Sequence, residues 1–292
     1  ASYINISNSI ADTFSGTLGG TGANNNNFAV DKNGTGALTL TGNNTYTGGT
    51  NLDGGTLNLG SANPIGSGAL TMNFGTAMTL DNTSGSALVL SNAFTVLQNA
   101  LDLTFTGSND LTFNGAFSYA NGDVFNLLNG VLTFNGSSPA NTGSFAVSGP
   151  GTLVLGGANL YTGATGMSNG NVTLTGSLNG ATGAPLAVGG GINVFTYAPS
   201  GTGSATQKIT NITGSALQNI FVLNQGSASS ATLNLAAINS GFENDYVILG
   251  GASSTAKMQF GSTATTTFFN VESYYGTSLS STGSSYVAYD ST

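Results

Sequence analysis

The chain has 292 residues, 39% of them hydrophobic and only 5% charged, with a net charge of −8, three lysines and no arginine, histidine or cysteine. An ordinary soluble domain carries about 25% charged residues, while the apolar content here is too high for a disordered segment. The missing residue types exclude Ser–His–Asp and Cys–His catalysis, zinc sites built on His or Cys, disulfide frameworks and the cationic surfaces that bind nucleic acid or anionic membranes.

From the N-terminus, Tyr3-Ile4-Asn5-Ile6 reads as a short strand. No basic start or apolar core of a signal peptide precedes it, so a leader is expected to be already removed or never present. Apolar–polar–apolar triplets follow: Leu38-Thr39-Leu40, Leu57-Asn58-Leu59, Leu70-Thr71-Met72, Met78-Thr79-Leu80, Leu103-Thr104-Phe105, Leu111-Thr112-Phe113, Leu132-Thr133-Phe134 and Val172-Thr173-Leu174. Alternation of this kind turns one strand face inward and leaves Thr and Asn on the other. Between triplets stand turn formers such as Gly54-Gly55, Asn129-Gly130 and Asn179-Gly180, which supply positive φ.

Residues 94–145 are rich in phenylalanine (Phe94, Phe105, Phe113, Phe117, Phe125, Phe134, Phe145), expected to stack as a column inside the core. The best helical candidate, Ser215 to Leu223, is a single helical turn or a buried strand. Residues 191–292 keep the β character but lose the triplet rhythm. They hold Tyr197, Tyr246, Tyr274, Tyr275, Tyr286 and Tyr289, and finish in the strand-like Tyr286-Val287-Ala288-Tyr289. No apolar run of about 18 residues is present, so no membrane-spanning helix is expected.

A longer pattern overlies the triplets. The segment from Gly36 to Gly60 returns at Gly151 to Thr175 without a gap, 115 residues later (151 − 36 = 115). The copies share Gly36/Gly151, Leu38/Leu153, Leu40/Leu155, Gly42/Gly157, Asn44/Asn159, Tyr46/Tyr161, Thr47/Thr162, Gly48/Gly163, Thr50/Thr165, Gly55/Gly170 and Leu59/Leu174. Internal repeats point to a stacked architecture. Short strands alone also fit an antiparallel sandwich. The gapless repeat and the outward Thr and Asn, which can ladder between stacked rungs, favour a parallel solenoid. With roughly 20 residues per coil and about 4.8 Å between coils, the chain would make about 14 coils and a rod on the order of 70 Å long.

The run Lys32 to Gly42, then Asn44-Thr45-Tyr46-Thr47-Gly48-Gly49-Thr50, then Gly54-Gly55-Thr56-Leu57, resembles the autotransporter-associated β-strand repeat, also called the passenger-associated transport repeat. Thr13 to Leu18 fits the lead-in of that repeat. The resemblance implies a right-handed β-solenoid in large secreted or surface-displayed bacterial proteins, and it brings no catalytic residues. Such passengers are joined to a translocating β-barrel. The last residues here, SSTGSSYVAYDST, show no series of barrel strands, so a cleaved passenger or an independent secreted subunit is expected.

The remaining chemistry is sparse. Carboxylate pairs for glycoside hydrolysis could be drawn only from Asp102 with Asp110, or Glu243 with Asp245, and isolated Asp beside Asn or Gly reads better as a turn residue. Gly241 to Asp245 offers calcium two carboxylates and an amide, fewer than its six to eight oxygens, so a solvated loop is the better reading. Gly48-Gly49-Thr50 and Gly54-Gly55-Thr56 lack the lysine of a phosphate loop.

The expectation is an all-β chain: a right-handed parallel β-solenoid (β-helix) over residues 1–190, with a less regular β cap or assembly region over residues 191–292. It is not expected to be an enzyme and should need no cofactor or metal. Solenoid ends are open strand edges, and a head-to-tail contact that does not close gives a filament. The first expectation is therefore a secreted protein that polymerises end to end with itself, through Tyr3, Ile4 and Ile6 at one end and Tyr286, Val287 and Tyr289 at the other, into an extracellular filament, sheath or surface layer. The alternative is an adhesin or autotransporter passenger, a monomeric stalk that binds glycans or other cell-surface proteins. No nucleic acid partner is expected.

Overall fold

A computed structural model describes residues 2–22, 24–73, 77–97, 102–237, 243–249, 255–260 and 274–276. Among them there is no helix, and every strand pairing is parallel. The strands stack as a β-solenoid of about ten turns.

Three columns of strands run along the stack. The first begins with Ser2–Ile6 and climbs through Phe28–Lys32, Thr50–Leu52, Leu70–Met72, Phe94–Val96 and Phe117–Ser118. It passes on by a hydrogen bond from Phe117 N–H to the Ser137 carbonyl and a bridge between Ser138 and Asn159, reaching Ala158–Asn159 and Ser177–Leu178. The second column runs from Asp12–Phe14 through Ala37–Leu40, Gly55–Leu59, Met78–Asn82, Asp102–Phe105, Asp123–Leu127 and Phe145–Ser148 to Thr165–Ser168. The third starts at Leu88–Leu90 and continues with Leu111–Phe113, Val131–Phe134, Thr152–Leu155 and Asn171–Leu174.

The stack continues past residue 190. The long strand Ala184–Tyr197 turns the corner between second and third columns, pairing Leu186 to Gly189 with Thr165–Ser168 and Val194 to Tyr197 with Asn171–Leu174. Ser204–Asn224 repeats this wrap one coil on. Ser215 to Leu223 is thus strand, not helical turn, because its residues from Gln218 to Leu223 are held by ladders on both sides.

Coil length varies. Leu38 stacks under Leu57 (57 − 38 = 19), whereas Val247 stacks under Tyr274 (274 − 247 = 27). That corrects the expected coil length: corners absorb extra residues, so coils run longer, and the described residues make about ten of them. About ten coils at about 4.8 Å give a rod on the order of 50 Å.

The triplets behave as their alternation requires. Leu57, Leu80, Phe105 and Leu127 form one inward file, fully buried, and Thr79 and Thr104 stand outward between them. All seven phenylalanines of residues 94–145 are buried. Six of them, all but Phe105, form a cross-core cluster rather than a single file: Phe117 of the first column stacks on Phe134 of the third, ring centroids 4.1 Å apart and planes 3° from parallel. Phe94 meets the same Phe134 ring at 4.8 Å, and Phe125 of the second column lies 6.1 Å from it.

The two copies of the 25-residue segment do not lie on the same side of the rod. Thr50 is in the first column, which leads upward to Asn159; its counterpart Thr165 is in the second column, which descends to Leu57. The second copy is therefore advanced by one column, and 115 residues span five coils and one further side.

Candidate functional site

The first coil is where the sequence placed an assembly contact. Ser2–Ile6 pairs on one edge with Phe28–Lys32 and has no strand on its other edge among the described residues. Register shows what the missing neighbour does. Ile4 stacks on Val30, and Phe14 on Leu40; the upper member of each pair is fully buried, while Ile4 and Phe14 are each 38% exposed. Tyr3 and Ile10 are exposed at the same end. Ile6 is half-buried, packed against the core. Among the described residues this edge carries apolar side chains and no lysine or proline. Tyr286, Val287 and Tyr289 lie outside the described residues.

The two candidate carboxylate pairs lie in different parts of the stack. Asp102 is exposed at the start of its strand. Asp110 is exposed in a turn, where its Oδ1 accepts the Val131 N–H at 2.9 Å. Glu243 and Asp245 stand in the strand Glu243–Leu249, in register with Gln218 and Ile220, so the expected solvated loop is a ladder member instead. No group of three or more His, Cys, Asp or Glu gathers around a common point among the described residues.

What the repeated segment builds is internal. Tyr46 and Tyr161 are fully buried, and each hydroxyl is bonded to a buried threonine four residues on: Thr50 Oγ1 at 2.5 Å and Thr165 Oγ1 at 2.7 Å. Asn44 and Asn159 are buried two residues before the tyrosines. Asn44 Oδ1 accepts the Leu18 N–H at 2.7 Å and its Nδ2 donates to the Pro64 carbonyl; Asn159 Nδ2 donates to the Gly157 and Ser177 carbonyls at 2.9 and 3.2 Å. Asn44 thus satisfies backbone groups of the coils on either side, and Asn159 reaches the Ser177 carbonyl of the next coil. The shared residues thus form a corner lock, tying one coil to the next. The equal Tyr-x-x-x-Thr spacing in both copies was the available sequence signal.

Lys32, within the same segment, was not anticipated in the core. It is fully buried, and its Nζ donates to the carbonyls of Gly34 and Gly54, the latter at 3.1 Å. Burial lowers its pKa. Burial raises the pKa of Tyr46, Tyr119, Tyr161 and Tyr197 above the usual phenol value. An unfolded tyrosine ionises near pH 10, so above that pH the unfolded chain loses protons that the folded chain keeps. The tyrosine contribution to stability is then complete below about pH 10 and falls as pH rises further. Lys32 acts oppositely: the unfolded lysine keeps its proton to about pH 10.4, so stability from this group grows as pH rises toward that value. Four phenols outweigh one amine, and urea titrations should show stability falling steeply above about pH 10. Tyr161→Phe should soften that fall and, by leaving the Thr165 hydroxyl without its partner, cost about 1–3 kcal/mol at neutral pH.

A family model for the passenger-associated-transport-repeat matches residues 30–59 and 145–166. The first match holds Lys32 and the whole Asn44–Tyr46–Thr50 lock; the second holds its counterpart, Asn159–Tyr161–Thr165. Searches of curated proteins and of solved structures returned no match.

Proposed function

We propose that this chain is a β-solenoid segment of a secreted or cell-surface passenger, serving as a stiff stalk rather than as a catalyst. The observation that carries this reading is the coincidence of the passenger-associated repeat with a buried corner lock. The repeat marks residues that build a rod, and none of its lock residues is on the surface. On this reading the chain needs no metal or cofactor, and any glycan or surface protein is met elsewhere than at Tyr46, Tyr119, Tyr161 and Tyr197, which are buried. Antibody labelling of intact, unpermeabilised cells displaying the chain tests it. Bright surface signal is expected; signal only after permeabilisation would rule the reading out.

The open first coil favours a second reading, end-on association of copies into a filament, sheath or surface layer. Ile4 and Phe14 keep apolar surface that a coil of a second copy could cover. Negative-stain electron microscopy across a wide dilution series separates the two. Long regular filaments that persist on dilution support the polymer, and isolated short rods support the monomeric stalk.

A further inference from the structure

Seven asparagines precede glycine: Asn33, Asn114, Asn121, Asn129, Asn135, Asn169 and Asn179. In such a pair the glycine nitrogen can attack the asparagine Cγ. The C–N bond to the side-chain amide breaks, ammonia leaves with the proton shed by the glycine nitrogen, and a cyclic imide forms. Water then opens the ring to aspartate or isoaspartate. The reaction needs a glycine N–H that is not held in a hydrogen bond and an asparagine side chain free to swing toward it.

The stack withholds both conditions from most of these pairs. Gly34 N–H donates to the Ile6 carbonyl at 3.2 Å, Gly115 N–H to Asn92 at 3.2 Å and Gly122 N–H to Ser144 at 2.7 Å. Gly170 N–H is held by Asn193 Oδ1 at 3.2 Å. The side chains are tied as well: Asn33 bonds Asn5 and Ser7, and Asn121 Oδ1 accepts the Ser144 N–H at 2.8 Å. Three glycines, at 130, 136 and 180, donate to no acceptor among the described residues. Of their partners, Asn135 is bonded to Asn114 at 2.9 Å, with Gly136 pressed against the Gly115 carbonyl of the coil below. Asn179 is half-buried, and its Nδ2 donates to the Gly183 carbonyl at 3.0 Å.

Asn129 stands apart. Its side chain is exposed, its hydrogen bond among the described residues is a long 3.5 Å approach to the Thr106 carbonyl, and Gly130 lies in a turn with φ of +63°. We propose that Asn129–Gly130 is a self-modification site, the first place at which the folded chain converts an amide to a carboxylate. The product matters for its setting. Asp110 Oδ1 accepts the Val131 N–H at 2.9 Å, so the new charge arises two residues from a backbone that an existing carboxylate holds. Like charges repel, and an isoaspartate also inserts an extra backbone atom into the corner.

The test is peptide mapping by mass spectrometry after incubation of the folded protein in mildly alkaline, heavy-oxygen water, with the urea-unfolded chain as reference. Each site's rate in the folded protein is divided by its rate in the unfolded one. The largest ratio of the seven is expected at Asn129, and label at that peptide should vanish in Asn129→Gln, an exposed change that leaves the fold intact. A ratio at Asn129 equal to or below that at any of the other six sites overturns the proposal, as does undiminished label at the peptide in Asn129→Gln.

Discussion

Phe134→Ala is expected to lower stability by about 3–5 kcal/mol, the range for deleting a buried aromatic ring. The ring lies where the columns converge. It is fully buried, stacks on Phe117 at 4.1 Å, meets Phe94 at 4.8 Å, and has Phe113 and Phe125 at 5.9 and 6.1 Å. Its loss removes transfer free energy and leaves a cavity that rigid ladders on both sides cannot close. Phe134 pairs with Phe113 below and Leu155 above, so the damage should be local. Urea unfolding gives the magnitude, and amide exchange should quicken first in Leu111–Phe113 and Thr152–Leu155. Leu217→Ala is the contrast: this side chain is 75% exposed, and a change within about 0.5 kcal/mol is expected. Equal losses from the two variants would contradict the packing described.

Gly55→Ala should be of similar severity, about 3–5 kcal/mol, for a backbone reason. Gly55 has φ of +69°, and a Cβ there would stand 2.4 Å from the Gly34 carbonyl oxygen and 2.6 Å from that of Gly36. The left-handed conformation alone costs an L-residue about 1–2 kcal/mol. The collisions come on top, and they fall where Lys32 Nζ is lodged, 2.9 Å from the same point. Relief requires the second and third coils to separate, which takes the ammonium from the Gly54 carbonyl. Gly85→Ala isolates the first cost, because Gly85 has φ of +86° and nothing within 4 Å of its Cβ position. Thermal unfolding should place Gly55→Ala well below Gly85→Ala. Amine-reactive labelling of Lys32 should rise only in Gly55→Ala. Matching midpoints would refute the close-approach account.

The strand positions were legible because period two is a local signal. Leu103-Thr104-Phe105 and Val172-Thr173-Leu174 are strands with the inward and outward residues that alternation assigns. The solenoid itself was legible from the gapless repeat and its family resemblance. Coil length was not, since it depends on how many residues each corner absorbs, and nothing local distinguishes the 19-residue step at Leu38 from the 27-residue step at Val247. Lys32 escaped because a lysine is read as solvent-facing; only the two carbonyls from different coils make an interior place for it. At the candidate site, Tyr3, Ile4 and Ile6 were readable as a strand, but the exposure of Ile4 beside a fully buried Val30 follows from stacking order, which one strand's sequence does not carry.

The one-column advance between the two copies bears on how such a rod changes length. Crossing-over between the gene stretches that encode Gly36–Gly60 and Gly151–Thr175 would add or delete 115 residues at a time (151 − 36 = 115). Each event joins one corner lock to an equivalent corner lock, so both new junctions keep their buried Asn, Tyr and Thr. The increment is not a whole number of coils, so every such event also turns all that lies beyond it by one side, a third of a revolution. Elongation and azimuth are coupled: three successive duplications return a distal feature to its original heading, and one or two point it elsewhere around the rod.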